Sequence, residues 1–169
     1  MKIAFLDRDG TINKDYQDDE WKNIYNPEFL KGSLEALRVI REKGFQIIII
    51  TNQYLINDGV ITLSQYKMFT EKLIKIVNEQ GVKILDIFYC PHSKKENCNC
   101  SKPKTGLIDN ALKKYPNIEL DKSFIVGDSI VDMELGNKLG IRTFGINVNS
   151  EILSYIPVSS LLDATRYLY

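Results

Sequence analysis

Two carboxylates one residue apart, Asp7 and Asp9, follow the apolar run Ile3 to Leu6 and are followed by Gly10 and Thr11. An apolar run without polar alternation reads as a strand buried on both faces. Acids that end such a strand sit where open α/β folds place their ligands. The same letters also describe a strand closed by a solvated Asp-Gly turn. Further along, Thr51, Asn52 and Gln53 close a second apolar run, Lys102 stands in a polar segment, and Asp128 and Asp132 follow the run Phe124 to Gly127. Each has a plainer reading on its own. Thr51-Asn52 suits a turn or helix cap, Lys102 a solvated lysine, and Asp128 with Asp132 the caps of a helix after Gly127.

Brought to one sheet edge, these acids could not all stay ionised without a compensating cation. Oxygen ligands at that density favour a hard metal, and Mg²⁺ takes one or two carboxylates together with waters and substrate phosphate. A hydroxyl from Thr51 and an ammonium from Lys102 would supply the donors and positive charge that a transferring phosphoryl group needs.

A second concentration of chemistry lies in Cys90-Pro-His92 and Cys98-Asn-Cys100, which use every cysteine and the only histidine of the chain. A Cys₃His set is a closed, tetrahedral zinc arrangement, which favours a structural role over a catalytic one. The plainer alternative, three small buried hydrophobes and a surface histidine, fits poorly with so polar a segment. Ligands this close in sequence clip one loop rather than join two elements, and they suit a metal better than a disulfide framework.

Elements must alternate for the acids to meet. Residues 12–26 are polar and irregular and are expected to form a flap over the site rather than a core element. Pro27 suits the first turn of a helix whose apolar positions recur from Phe29 to Ile40 and stop at Gly44. Phe45 to Ile50 reads as a second strand, and Tyr66, Phe69, Leu73, Ile76 and Val77 share one face of a long helix stopped by Gly81. Ile84 to Tyr89 is a third strand, Cys90 to Lys104 an irregular insertion, and Thr105 to Tyr115 a helix. Ser123 to Gly127 is a fourth strand, a helix runs on to Gly140, and Ile141 to Ile146 is a fifth strand. A short helix, Ser159 to Tyr167, is expected in an otherwise peripheral tail, residues 147–169. The alternation predicts an α/β fold: a doubly wound, Rossmann-like parallel sheet with helices on both faces and right-handed crossovers.

At 169 residues the chain is most simply a single domain, residues 1–169, with residues 90–104 inserted as a zinc-binding loop. Lys+Arg and Asp+Glu balance at 22 each, so no basic field draws in nucleic acid or anionic lipid. No basic lead precedes the first strand, and the apolar run at Phe45 to Ile50 is far too short to span a bilayer. A cytoplasmic monomer without nucleic-acid or membrane partners is the expectation.

Asp7-Arg8-Asp9-Gly10-Thr11, Thr51-Asn52, Lys102-Pro103 and Gly127-Asp128-Ser129-Ile130-Val131-Asp132, in that order, resemble the four motifs of the haloacid dehalogenase-type phosphatases. The resemblance covers residues 1–146 and implies a Mg²⁺-dependent phosphomonoester hydrolase. In that reading Asp7 is the nucleophile and forms an aspartyl-phosphate. Asp9 protonates the leaving oxygen and then activates water. Asp7, Asp128 and the Asp9 carbonyl hold Mg²⁺, and Asp132 orients its waters or ligates directly. Thr51 donates to the phosphoryl oxygens, Lys102 ties the phosphate to the nucleophile, and Asn52, Gln53 and Ser101 line the substrate.

The cysteine segment, running on to Lys102 and Gly106, is similar to the zinc loop of the D-glycero-D-manno-heptose bisphosphate 7-phosphatases. The related histidinol-phosphate phosphatases carry a comparable loop. Both lack a cap domain, which agrees with the short connection from Asn52 to Leu63. The resemblance implies a small phosphorylated sugar as substrate, heptose 1,7-bisphosphate first, with histidinol phosphate as the alternative. There are departures. Ser101 replaces the usual arginine before the lysine, Tyr54-Leu55-Ile56 replaces Ser-Gly-Ile, and Ser129 replaces a common lysine. A second phosphate needs a cationic grip, for which Arg8, Lys94, Lys95 and Lys104 are the candidates. Asp15, Asp18, Asp19 and Glu20 in the flap would instead suit a cationic amine.

Overall fold

The computed structural model describes residues 1–169. Its six strands are β1 (Ile3–Leu6), β2 (Gln46–Asn52), β3 (Asp86–Cys90), β4 (Phe124–Gly127), β5 (Arg142–Ile146) and β6 (Ile156–Val158). All pair in parallel, in the order β3-β2-β1-β4-β5-β6. Five helices connect or follow them: α1 (Ser33–Glu42), α2 (Leu63–Glu79), α3 (Gly106–Lys114), α4 (Ile130–Leu139) and α5 (Leu161–Thr165). None of them is long and apolar enough to cross a membrane.

Alternation along the strands divides the core in two. Ala4, Leu6, Ile47 and Ile49 pack with residues of α1, α2 and α5 on one face. Ile3, Phe5, Ile48 and Ile50 pack with α3 and α4 on the other. The sheet is therefore doubly wound, as the run of strands and helices predicts. The strand order reverses between β1 and β4, so the residues leaving those two strands flank a crevice at the carboxyl edge.

Three expectations change. Helix α1 begins at Ser33 after Gly32 in the left-handed region (φ 78°), not at Pro27. Residues 28–30 are committed elsewhere: Lys14 N donates to Glu28 O at 2.8 Å, and Leu30 N to Ile12 O at 3.0 Å. The flap is more than a polar cover, because Ile12 and Trp21 are buried in the core. Polar neighbours hide two anchors spaced too far apart to show a period. The tail is not peripheral either. It adds β6 beside β5, and Leu161, Ala164 and Leu168 are buried against the α1 side of the sheet. A three-residue strand containing Pro157 gives no periodic signal, and Pro is tolerated there because β6 is an edge strand.

Candidate active site and metal sites

Asp7 leaves β1 with its N–H bonded to Val126 O at 2.9 Å, which extends the β1–β4 ladder by one step and sets the acid at the crevice. The chain then turns at Gly10 (φ 83°), where a Cβ would overlap the Asp128 carboxylate. At the end of β4, a Cβ on Gly127 would overlap Asp132 in the same way. Glycine at these positions lets two backbones approach two carboxylates.

Lys102 is the hub. Its Nζ donates to Asp7 Oδ1 at 2.8 Å, Asp132 Oδ1 at 2.7 Å and Ile50 O at 3.0 Å, and its side chain is 2% exposed. Asn52 grips the lysine's backbone: Asn52 Nδ2 donates to Lys102 O at 3.1 Å and Lys102 N donates to Asn52 Oδ1 at 2.9 Å. Asp132 is fully buried and closes a capping box at the start of α4, accepting from Ser129 N at 3.3 Å and Ser129 Oγ at 2.9 Å. Asp132 thus caps α4 and at the same time accepts from the Lys102 ammonium.

Asp9 turns from Asp7 toward Arg8. Arg8 Nε and Nη2 donate to its two oxygens at 2.8 and 3.0 Å, Asn13 Nδ2 donates to Oδ1 at 2.9 Å, and Gln53 Nε2 to Oδ2 at 3.0 Å. Gln53 Nε2 also donates to Thr51 Oγ1 at 2.8 Å, linking the ends of β1 and β2.

Charge is unbalanced here. Burial pushes the Asp7 carboxyl well above the usual range; Lys102 opposes this, and Asp132 and Asp128 add to it. Asp128 is pushed up to about 6, by burial and then by Asp132. Lys102 stays charged, since burial favours proton loss but Asp132 and Asp7 outweigh it. Oxygens of Asp7, Asp128 and Asp132 lie within 4.8 Å of one another with a single ammonium among them. A set of this kind is suited to a further cation.

A cleft of about 210 Å³ opens over this cluster. Of the residues singled out in the sequence, Asp7, Asp9, Thr51, Asn52, Gln53, Lys102 and Asp128 line it. Asp132 stands behind Lys102. Ser101 is not in the lining, and its N–H donates to Cys98 Sγ at 3.4 Å. The rim comes from the flap and the loop after β2. Trp21 Nε1 donates to Asp15 Oδ1 at 3.0 Å, and Tyr54 OH to Asp18 Oδ1 at 2.8 Å. Lys102 is the one cation lining the cleft. Arg8 is buried on Asp9 and Lys104 donates to the Cys98 carbonyl, while Lys94 Nζ stands 4.7 Å from the Tyr54 ring centre.

Cys90, His92, Cys98 and Cys100 bring their ligand atoms within 4.8 Å of one another, and no disulfide joins the thiols. His92 Nδ1 lies 3.3 Å from Cys90 Sγ and 3.2 Å from Cys100 Sγ, and the Cys90 and Cys98 sulfurs are 3.7 Å apart. Burial raises the Cys90 thiol, and neighbouring thiols add to this. Burial would raise Cys98 too, but the N–H groups of Ser101 and Cys100 overcome it and lower the thiol to about 7. One sulfur is therefore poised as a thiolate, the form that binds metal.

Sequence reasoning missed the partner of Asp9. Arg8 was legible only as a possible phosphate grip; the clue to its burial is Trp21, Tyr66 and Phe69, aromatics separated by up to 48 positions from one another.

The profile of the polynucleotide kinase 3 phosphatase family matches residues 2–138. The chain is 40% identical to D-glycero-alpha-D-manno-heptose-1,7-bisphosphate 7-phosphatase of Photorhabdus laumondii, over 83% of this chain and 79% of that protein. It is 31% identical to the histidine biosynthesis bifunctional protein HisB of Campylobacter jejuni over 98% of this chain, which spans only 49% of that protein. The crystal structure of D,D-heptose 1,7-bisphosphate phosphatase from B. bronchiseptica, complexed with magnesium and phosphate, superposes with a TM-score of 0.85 over 98% of this chain and 97% of that one, at 23% identity. With profile and relatives in agreement, this chain belongs to the polynucleotide kinase 3 phosphatase family.

Proposed function

We propose that this chain hydrolyses the phosphate monoester of a small sugar, D-glycero-D-manno-heptose 1,7-bisphosphate at its 7-position, through an aspartyl-phosphate on Asp7. The observation that carries the chemistry is Lys102 Nζ, held at 2.8 Å from Asp7 and 2.7 Å from Asp132 at the floor of the cleft. That ammonium fixes the Asp7 carboxylate in one orientation and meets the charge of an arriving phosphoryl group. Thr51, 1% exposed and lining the cleft, donates its hydroxyl to a phosphoryl oxygen. Asp9 gives a proton to the leaving oxygen and then takes one from the attacking water. The substrate choice is supported by the 40% identical relative of that name.

The under-neutralised oxygens of Asp7 and Asp128 fit a divalent cation, with the Asp9 carbonyl completing the protein's share and Asp132 behind. Mg²⁺ bound there would screen the repulsion between carboxylate and phosphate. The Cys90, His92, Cys98 and Cys100 set fits Zn²⁺. Thiolates around a tetrahedral zinc lie about 3.8 Å apart; the Cys90 and Cys98 sulfurs are 3.7 Å apart, and those of Cys90 and Cys100 are 3.1 Å apart, so this pair spreads when the metal enters. Its role is to shape the loop that delivers Lys102. The whole chain, residues 1–169, acts as one domain in this reading.

At the rim, Lys94 over Tyr54 supplies the cation for the second phosphate. A second reading, histidinol-phosphate phosphatase, is favoured by Asp15 and Asp18 on the same rim, which would hold an amine. The acidic rim and a net charge of zero disfavour a polynucleotide substrate. Steady-state kinetics with Mg²⁺ on heptose 1,7-bisphosphate, heptose 7-phosphate and histidinol phosphate decide. The bisphosphate is expected to show the highest kcat/KM, and a preference for histidinol phosphate reverses the assignment.

A further inference from the structure

Arg8 stands between the two acids in sequence but is 2% exposed and takes no part in lining the cleft. Its guanidinium carbon lies 4.6 Å from the ring centre of Phe69, 5.4 Å from Tyr66 and 5.8 Å from Trp21. A cation buried among three rings still requires a counter-charge. Asp9 supplies it to the Nε and Nη2 arms, at 2.8 and 3.0 Å. With Asn13 and Gln53 added, each Asp9 oxygen accepts two hydrogen bonds. The aromatic box spans two elements, Trp21 in the flap and Tyr66 with Phe69 in α2, and Trp21 also donates to Asp15 on the cleft rim.

We propose that Arg8 is a positioning residue for proton transfer: it holds the Asp9 carboxylate by both oxygens against an aromatic box, so that the seat of Trp21 sets where the proton shuttle stands, while Gln53 Nε2, which also bonds Thr51 Oγ1 at 2.8 Å, gives up its bond to Oδ2 and leaves that lone pair for the proton. The proposal rests on Asp9 being that shuttle. Simple neutralisation of Asp9 would be served by a lysine; a fixed orientation requires the planar fork.

The test compares kcat/KM, which reports steps up to departure of the leaving group, on two monoesters. p-Nitrophenyl phosphate releases a phenolate that needs little protonation, whereas a simple alkyl phosphate releases an alkoxide that does. Asp9→Asn is expected to lose about 10²-fold or more on the alkyl ester and far less on the aryl ester. Arg8→Met is expected to reproduce that gap at about 10-fold or more, with Arg8→Lys in between because an ammonium replaces one arm of the fork. Equal losses on both esters, or no loss on the alkyl ester, overturn the proposal. If Arg8→Met does not fold, Arg8→Lys carries the same comparison. Absence of the gap in Asp9→Asn removes the shuttle role and the proposal with it; a gap in Asp9→Asn alone removes only the role of Arg8.

Discussion

Asn52 and Lys102, fifty residues apart, exchange two hydrogen bonds, side-chain amide to backbone amide, at 3.1 and 2.9 Å. The end of β2 thereby holds the segment whose ammonium reaches Asp7. Replacing Asn52 by Ala removes both bonds, each worth about 1 kcal/mol. The expected result is a melting temperature lower by about 4–8 °C and a kcat lower by about 10-fold as Lys102 loses its register. Unchanged kcat in a destabilised variant would show that Nζ finds Asp7 without the clamp.

Asp7→Asn keeps the shape of the side chain and removes the nucleophile. Turnover of every phosphate monoester should fall by about 10⁴-fold or more, with the folded state intact by circular dichroism. Lys102 keeps Asp132 as a partner in this variant, so collapse of the fold is not expected. Retained turnover would sink the covalent mechanism.

Cys98→Ser removes a candidate zinc ligand that lies four residues before Lys102. Metal analysis of the parent protein should find about one zinc per chain. In the variant the metal should be lost, with a fall in Tm on the order of 10 °C and a lower activity that added Mg²⁺ does not restore. A parent protein purified without chelators and free of zinc would remove the clip.

Burial and then Asp132 push the Asp128 carboxyl up to about 6 in the metal-free protein, against about 3.9 for an unfolded aspartate. The folded state therefore binds the extra proton between these values, and metal-free stability should decline as pH rises through that window. Mg²⁺ competes for the same carboxylate. Its stabilising effect, measured as a Tm shift, should be small near about pH 5 and grow by about pH 7.5. A Mg²⁺ effect independent of pH would place the ion away from Asp128.

The meeting of Asp7, Thr51 and Asp128 was legible because these residues sit where strands stop. Asp7, Thr51 and Asp128 each close or follow an apolar run, and parallel topology sends them to one edge. The cluster of Cys90, His92, Cys98 and Cys100 was legible because the chain's cysteines and its one histidine all fall within eleven residues. Arg8 was not: its charge suggested the surface, and its burial depends on Trp21, Tyr66 and Phe69 converging in space. Strand β6 was equally hidden, since three residues around Pro157 carry no period.

Strand β1 acquires its second neighbour late. Ile3 N bonds to Ser123 Oγ at 2.9 Å, and Asp7 N to Val126 O at 2.9 Å, across about 120 residues of chain. While translation is still short of Phe124, the nascent chain offers a bare strand edge and an acid without its backbone anchor. Hydrolytic competence thus arrives only after residues 124–132 have been made, and products terminated before them are expected to be inactive and prone to aggregate.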